Sequence, residues 1–448
     1  QAIQLMLDPA ECGPATIAMS QDVQGESFDY PEIFFEEKIH EIRRAHPDPI
    51  QVKQAADKIK NSKQPLIISG GGVLYSGAEE ELSNFAKKHN IPVTSTVMGI
   101  GCMTKDDPYY ISAIGALGEG SANNLSKDTD LAIAIGTKLA DFTTASWSNF
   151  ENPDFKLVSV NTSRYDVTKH MATGVISDAK IGLQQISEAL GNWRANDSWY
   201  QRAVKEREKW DTYVKKESGP TNQKEPSYAH AVGAVYRNAD DSDIVVTAAG
   251  GLVGEVVQVW KPKQLNTWES EWGYSCMGFE ISGALGIKMA KPDQDVIVFV
   301  GDGSYLLSNS DIYSSVIYNK KLIIIVCDNG GHMVINRLQL AKGGKEYICN
   351  LRAANATNLQ FVDFEMHAKS MGANAETVSS TSELEAAFKR AKDSDKTYVI
   401  SIKTHGYLWL ENGGAFWESP TLQDPITEDN KKALNDFEAG KSKQRKGV

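Results

Sequence analysis

Short, continuously apolar runs alternate along most of the chain with segments whose apolar positions recur at helical spacing. From Gln51 the order is a helix over 51–61, the run PLIISGGG, a helix over 78–89, and the run IPVTST. A glycine-rich GALGEG follows, and then the runs LAIAIG and KLVSVN. A second series starts near Ser227: helix, DIVVTAAGG, helix, VIVFVGDGS, helix, LIIIVCDNGG, a loop through Lys342-Gly343-Gly344, helix and TYVISIKT. Runs rich in β-branched residues read as strands, and strands alternating with amphipathic helices predict parallel sheets covered by helices. The expected fold is α/β, with two doubly wound parallel-sheet domains at 51–191 and 227–417.

The connecting segments differ in character. Residues 192–226 are polar, charged and rich in Trp and Lys, which predicts a solvated helix joining the two domains. Residues 31–50, with Pro47 and Pro49, read as a linker. Residues 418–448 read as a polar tail whose basic end, KSKQRKGV, is a solvated terminus. Residues 1–30 predict a helix and then a buried strand, ATIAM, over Ala15–Met19. One helix and one strand cannot bury a core, so this segment is expected to be the end of a truncated third domain whose front lies ahead of Gln1.

Composition narrows the classes of function. A chain of 448 residues exceeds one core, and 41% hydrophobic residues suffice for folded domains. A net charge of -11 argues against a nucleic acid or an anionic membrane as partner. Five scattered cysteines form no CxxC, which disfavours a disulfide framework or thiolate zinc site and fits a reducing cytoplasm. No apolar run approaches the ~18 residues of a membrane span. SGGGVLYSG, at 69–77, lacks the GxGxxG spacing of a dinucleotide site and reads as a structural turn.

The candidate chemistry lies in the second series. Ligands of open parallel sheets sit at the carboxyl ends of strands, and two strands here end in GDGS and DNGG. Each alone reads as a turn. Together they place the Asp302 carboxylate, the Asn329 amide oxygen and a glycine carbonyl at strand tips. Three such oxygens make half an octahedron, which phosphate oxygens and water complete in the usual manner of Mg2+.

The spacing of these groups carries a resemblance. GDGS followed by an Asn 27 positions after Asp302 is similar to the cofactor fingerprint of the thiamine diphosphate-dependent enzymes. QDVQ, GTKLADFTTAS and the order of units resemble their decarboxylase-like branch, which has pyrimidine-binding, middle and diphosphate-binding domains. The resemblance implies thiamine diphosphate and Mg2+ as cofactors, with Asp302, Asn329 and the Gly331 carbonyl on the metal. It further implies that Met277, in WGYSCMGFEISGALGIKMA, is the apolar wedge beneath the bent cofactor. Ser275, Gly250, Gly251, Leu252, Gly303, Ser304 and Val334 would also line the cofactor.

WGYSCMGFEI, DNGG and INRLQ-x-x-KGG resemble the members that open a cyclic 1,2-diketone in inositol catabolism. That implies a small cyclic diketone as substrate, and a homodimer or homotetramer with the active site between chains. The alternatives are a carboligase or decarboxylase acting on 2-oxo acids, and a chain that binds Mg-diphosphate without chemistry. His332 stands where the resemblance implies an aromatic residue. It is either an acid or base near pH 7 contacting a polyhydroxy substrate, or a loop residue with no chemical role. The family's catalytic Glu belongs to the pyrimidine domain, and neither Glu11 nor Glu26 stands in its place. It is expected ahead of Gln1.

Overall fold

The computed structural model describes residues 1–445. Two six-stranded, all-parallel sheets organise it. The first contains β1 (Pro65–Ser69), β2 (Val93–Ser95), β3 (Tyr110–Ala113), β4 (Leu131–Ile135), β5 (Lys156–Asn161) and β6 (Thr173–Ile176), in the order β3-β2-β1-β4-β5-β6. The second contains β7 (Ile244–Val246), β8 (Trp268–Glu269), β9 (Val296–Gly301), β10 (Ile323–Asp328), β11 (Asn374–Val378) and β12 (Tyr398–Lys403), in the order β11-β12-β10-β9-β7-β8. Helices pack on both faces, as parallel sheets require.

Eight of the nine strands expected from the sequence are the four central strands of each sheet. The four it missed, β3, β6, β8 and β11, are the two edges of each sheet. β8 has only two residues, and β6 and β11 are only partly buried. Such strands lack the long apolar run that two buried faces impose.

Other expectations need correction. Ala15–Met19 is not a strand: Ile17 and Met19 are exposed, and no strand lies beside them among the described residues. A strand without a neighbour has no ladder to satisfy its backbone. The joining helix, Asp197–Glu217, is not fully solvated. Its Trp199 and Ala203 are buried with Leu66, Ile111 and Leu125, and the Trp199 indole donates to the Pro65 carbonyl at 2.8 Å. The polar tail folds as the helix Glu428–Lys441, with Ala433 and Phe437 buried. Residues 446–448 of its basic end lie outside the described residues. The expected helix over 78–89 is present as Glu79–His89 and is preceded by a short helix, Gly71–Ser76. The glycines of SGGGVLYSG pack on backbone: a Cβ on Gly70 or Gly72 would stand 2.4 or 2.6 Å from atoms of Gly136. That close approach accounts for the glycine run as a structural turn.

The two sheets share a core. Val97, Ile100 and Ala113 of the first unit belong to the same buried cluster as Val245, Phe299 and Ile325 of the second. A buried ion pair crosses the same junction, from Lys261 Nζ to Glu119 Oε1. Burial pushes the Glu119 carboxyl up to about 7, and Lys261 opposes the shift. Because the folded value lies above the unfolded one, this group's contribution to stability falls as pH rises from about 4.5 to about 7. Removing the lysine charge strands a buried carboxylate, a change that typically costs ~3–5 kcal/mol. Lys261→Met is therefore expected to lower the melting temperature strongly at pH 8 and less at pH 5.5, where Glu119 binds a proton. Equal losses at both pH values would show that the pair contributes no electrostatic stabilisation.

Candidate functional site

In the second sheet the chain leaves β7 for β8 on one side and then crosses back to β9 on the other. Such a reversal opens a crevice at the carboxyl ends of the strands, where ligands of open α/β sheets bind. The tips around it are polar, buried and incompletely satisfied. Thr247 after β7, Ser270 after β8, Asn329 after β10 and Thr404 after β12 each bury a side-chain oxygen that has no hydrogen-bond partner among the described residues. A buried polar atom left unpaired costs about 1–3 kcal/mol, so several at one edge mark a place that a polar ligand completes.

Asp302 and Asn329 meet at this edge. Asp302 begins the helix Asp302–Leu307 after β9, and its Oδ2 accepts from the Gly331 N–H at 2.7 Å. Asn329 follows β10 directly, and its Nδ2 donates to the Tyr228 hydroxyl at 2.6 Å. The Asn329 Oδ1 is the unpaired atom. The Gly330 carbonyl is occupied by the Leu351 N–H at 3.1 Å. Asp328 is also buried, and its Oδ1 accepts from Gly330 N at 3.0 Å. Burial, followed by the charge of Asp328, pushes the Asp302 carboxyl up to about 7, against the pull of the Gly331 N–H. Two buried acids beside an unpaired amide oxygen and a turn of glycines form an all-oxygen donor set that suits a hard divalent cation. No group of three His, Cys, Asp or Glu that could by itself hold a metal ion occurs among the described residues, so a cation here would take its remaining ligands from amide and backbone oxygens and from phosphate.

The other expected residues lie in four segments, those that follow β7, β8, β9 and β10. Gly250 sits in the loop after β7 at φ +76°, and a Cβ there would face open space. Gly251 lies against the Trp409 ring, 2.3 Å from where a Cβ would stand. Leu252 is buried at the start of the helix Leu252–Val259. Ser275, at φ +54°, donates to the Ala248 carbonyl at 3.0 Å and so ties its loop to the β7 tip. Met277 is 38% exposed, which excludes a role as a core methionine. Gly303 makes room for His332: a Cβ would stand 2.6 Å from the ring. Ser304 donates its hydroxyl to Glu280 at 3.0 Å. Val334 is half-buried in the first turn of the helix Met333–Ala341, and His332, exposed, precedes that helix.

Sequence reasoning missed two residues that organise the site. Glu280 is buried at the start of the helix Phe279–Ala290. Its carboxylate accepts from Ala249 N at 3.3 Å, Gly278 N at 2.9 Å and the Ser304 hydroxyl. One side chain thus joins the loop after β7, the Met277 loop and the helix after β9 across the crevice. Burial raises its pKa, and these hydrogen bonds oppose the shift. Its signal was a lone acid in an apolar helix, FEISGALGIKMA. Tyr228 is the other, and nothing in the sequence pointed to a partner 101 positions away.

Comparisons with known proteins identify the family of the two sheets. Residues 52–186 match the family model described as the thiamine pyrophosphate enzyme central domain, and residues 248–402 match its C-terminal TPP binding domain. A protein of Bacillus licheniformis named 3D-(3,5/4)-trihydroxycyclohexane-1,2-dione hydrolase is 34% identical over 440 residues, covering 93% of this chain and 69% of its own length. Proteins of the same name from Geobacillus thermodenitrificans and Bacillus subtilis are 35% and 33% identical with the same coverage. The crevice carrying Asp302 and Asn329 falls within the matched TPP binding domain, the central domain precedes it in the family's order, and on these grounds the chain belongs to the thiamine pyrophosphate-dependent enzymes.

Proposed function

We propose that this chain is a thiamine diphosphate- and Mg2+-dependent hydrolase that opens a cyclic 1,2-diketone, of the trihydroxycyclohexane-1,2-dione type, to a deoxy-uronate in myo-inositol catabolism. The observation that carries the cofactor assignment is the unpaired, buried Asn329 Oδ1 beside the Asp302 carboxylate at the crevice. The substrate follows the printed name of relatives that align with 93% of the chain. A homo-oligomer with its active site between chains is part of the same reading.

Asp302, Asn329 and the Gly331 carbonyl would hold the Mg2+, whose charge would offset that of the buried acids and of the diphosphate. The loop at Gly250 and Gly251 and the small residues Gly303 and Ser304 let backbone approach the phosphates. Glu280 keeps those loops in register. Met277 presses on the cofactor from its own loop and excludes water there. Bound thiamine diphosphate supplies the electron sink for the carbon–carbon bond that breaks. His332, exposed beside Gly303, exchanges a proton between a ring nitrogen and the polyhydroxy substrate.

Asp302→Ala is expected to abolish Mg2+-dependent binding of thiamine diphosphate in calorimetry, and Asn329→Ala to weaken it about tenfold, as the loss of one buried ligand implies. Unchanged affinity in both variants would remove the site from this crevice. His332→Ala is expected to leave that affinity unchanged and to lower the rate of dione opening about a hundredfold; parental turnover would return His332 to a loop residue. Met277→Ala, at a half-exposed position, is expected to cost less than the ~2–5 kcal/mol of a core truncation. It should retain diphosphate affinity and slow turnover, whereas a parental rate would end its role as a wedge. Offering the dione and pyruvate side by side tests the substrate: consumption of pyruvate alone would replace the hydrolase reading with a 2-oxo-acid one.

A further inference from the structure

The Gly330–Gly331 turn is held between two irregular segments that lie outside the sheet. After the helix Met333–Ala341 the chain turns at Gly343, φ +76°, and runs back past the crevice. There a Cβ on Gly331 would stand 2.4 Å from the Cys349 carbonyl oxygen, and the Leu351 N–H takes the Gly330 carbonyl at 3.1 Å. On the other flank passes the loop after β12. A Cβ on its Gly406 would stand 3.6 Å from the Asn329 carbonyl oxygen.

One side chain joins these pieces. Glu346 Oε1 accepts from Asn336 Nδ2 at 2.9 Å, from the Tyr407 hydroxyl and, more loosely, from Asn350 Nδ2 at 3.4 Å. Asn336 belongs to the helix, Asn350 to the returning segment and Tyr407 to the loop after β12. The direction of each bond follows from the acceptor. An ionised carboxylate carries no hydrogen, and the hydrogen bonds to Glu346, that of Tyr407 first, hold its carboxyl below the usual range. The Tyr407 hydroxyl therefore gives its one hydrogen to Glu346. Toward Asn350 it can then only accept, and it takes Nδ2 at 3.0 Å. The opposite end of that amide, Oδ1, accepts from the Arg352 N–H at 3.1 Å. Asn350 is buried, both ends of its side chain are engaged, and it stands opposite Gly331 in an antiparallel bridge.

We propose that Glu346 is a positioning residue for the metal-binding turn: one carboxylate oxygen gathers Asn336, Asn350 and Tyr407, and so keeps Asn350 opposite Gly331 and Leu351 on the Gly330 carbonyl. With that brace in place the turn holds its left-handed glycine backbone, φ +82° at Gly330 and +138° at Gly331. Glu346 acts through Asn350 and touches neither cofactor nor substrate. The inference rests on the Mg-diphosphate reading of the crevice and adds to it a residue from outside the strand tips.

The test reads metal affinity rather than turnover. Mn2+ is titrated into the protein with saturating thiamine diphosphate, and free Mn2+ is followed by its electron paramagnetic resonance signal. Glu346→Ala is expected to weaken Mn2+ binding about fivefold. Glu346→Gln keeps one oxygen, and because the three donors meet at one oxygen, its affinity is expected to stay within about twofold of the parent. In an Asn350→Ala background, Glu346→Ala is expected to change the affinity less than about twofold, since the contact through which it acts is gone. Parental affinity in Glu346→Ala would overturn the proposal. So would a glutamine variant as weak as the alanine one, which would make the effect one of charge at a distance. An undiminished loss in the Asn350→Ala background would also overturn it. If Glu346→Ala does not fold, Tyr407→Phe takes its place: weaker Mn2+ binding in the parent but not in Asn350→Ala supports the brace, and parental affinity in both overturns it. Asp302→Ala separates the two layers. If that variant takes up Mn2+ as the parent does, the metal site itself is misplaced; if it loses Mn2+ while Glu346→Ala does not, only the role of Glu346 falls.

Discussion

A carboxylate buried at the end of a β-strand must be compensated, and the Asp302 region is organised around that requirement. Asp302 sits beside a second buried acid, Asp328, and its own pKa is pushed up to about 7 by burial and that neighbour. The Gly331 N–H and nearby backbone groups counter the charge. A site that gathers negative charge, leaves an amide oxygen unpaired and lines its approach with glycine is poor at standing alone. It becomes favourable with a divalent cation and phosphate oxygens, since opposite charges in a low-dielectric crevice attract far more strongly than in water.

That demand shapes the packing around the crevice. Glu280 ties three segments together with one buried carboxylate, so the loop after β7, the Met277 loop and the helix after β9 share one anchor. Trp409 joins two further pieces, packing on Gly251 and on Tyr228. The loop that carries Trp409 is fastened by Glu255, whose carboxylate accepts from the Leu410 N–H at 3.0 Å. Burial pushes Glu255 up to about 7. The first sheet contributes from below through the shared core and the Glu119–Lys261 pair. The middle domain therefore acts as a support for the crevice.

The exposed residues around the site fit the same division. His332 and Met277 stay accessible while the groups that fix the loops, Glu280, Tyr228 and Asn329, are buried. The side chains open to a substrate are thus distinct from those whose hydrogen bonds hold the surrounding segments.

The sequence alone determined the parallel α/β class, the four central strands of each sheet and the strand-tip motifs holding Asp302 and Asn329. It could do so because a strand buried on both faces must be continuously apolar, and because GDGS and DNGG are local signals of a tip that turns toward a ligand. Its failures have a common cause as well. The edge strands β6 and β11 are half-covered, β8 has two residues, and β3, though buried, is the mixed YISA rather than an apolar run; Ala15–Met19 looks like a strand but has no neighbour to pair with. Whether an apolar run becomes a strand depends on what lies beside it. The joining helix looked solvated because its buried face comes from only a few residues, Trp199 and Ala203 among them. Glu280 and Tyr228 were invisible as site residues for the same reason. Two of the three partners of Glu280 lie 24 and 31 positions away, and the partner of Tyr228 lies 101 away; the crossing of the chain from β8 back to β9, together with the helix that carries Tyr228, brings them to the crevice. Pattern records how a residue meets its local environment; the hydrogen bonds that join three loops are made by tertiary structure alone.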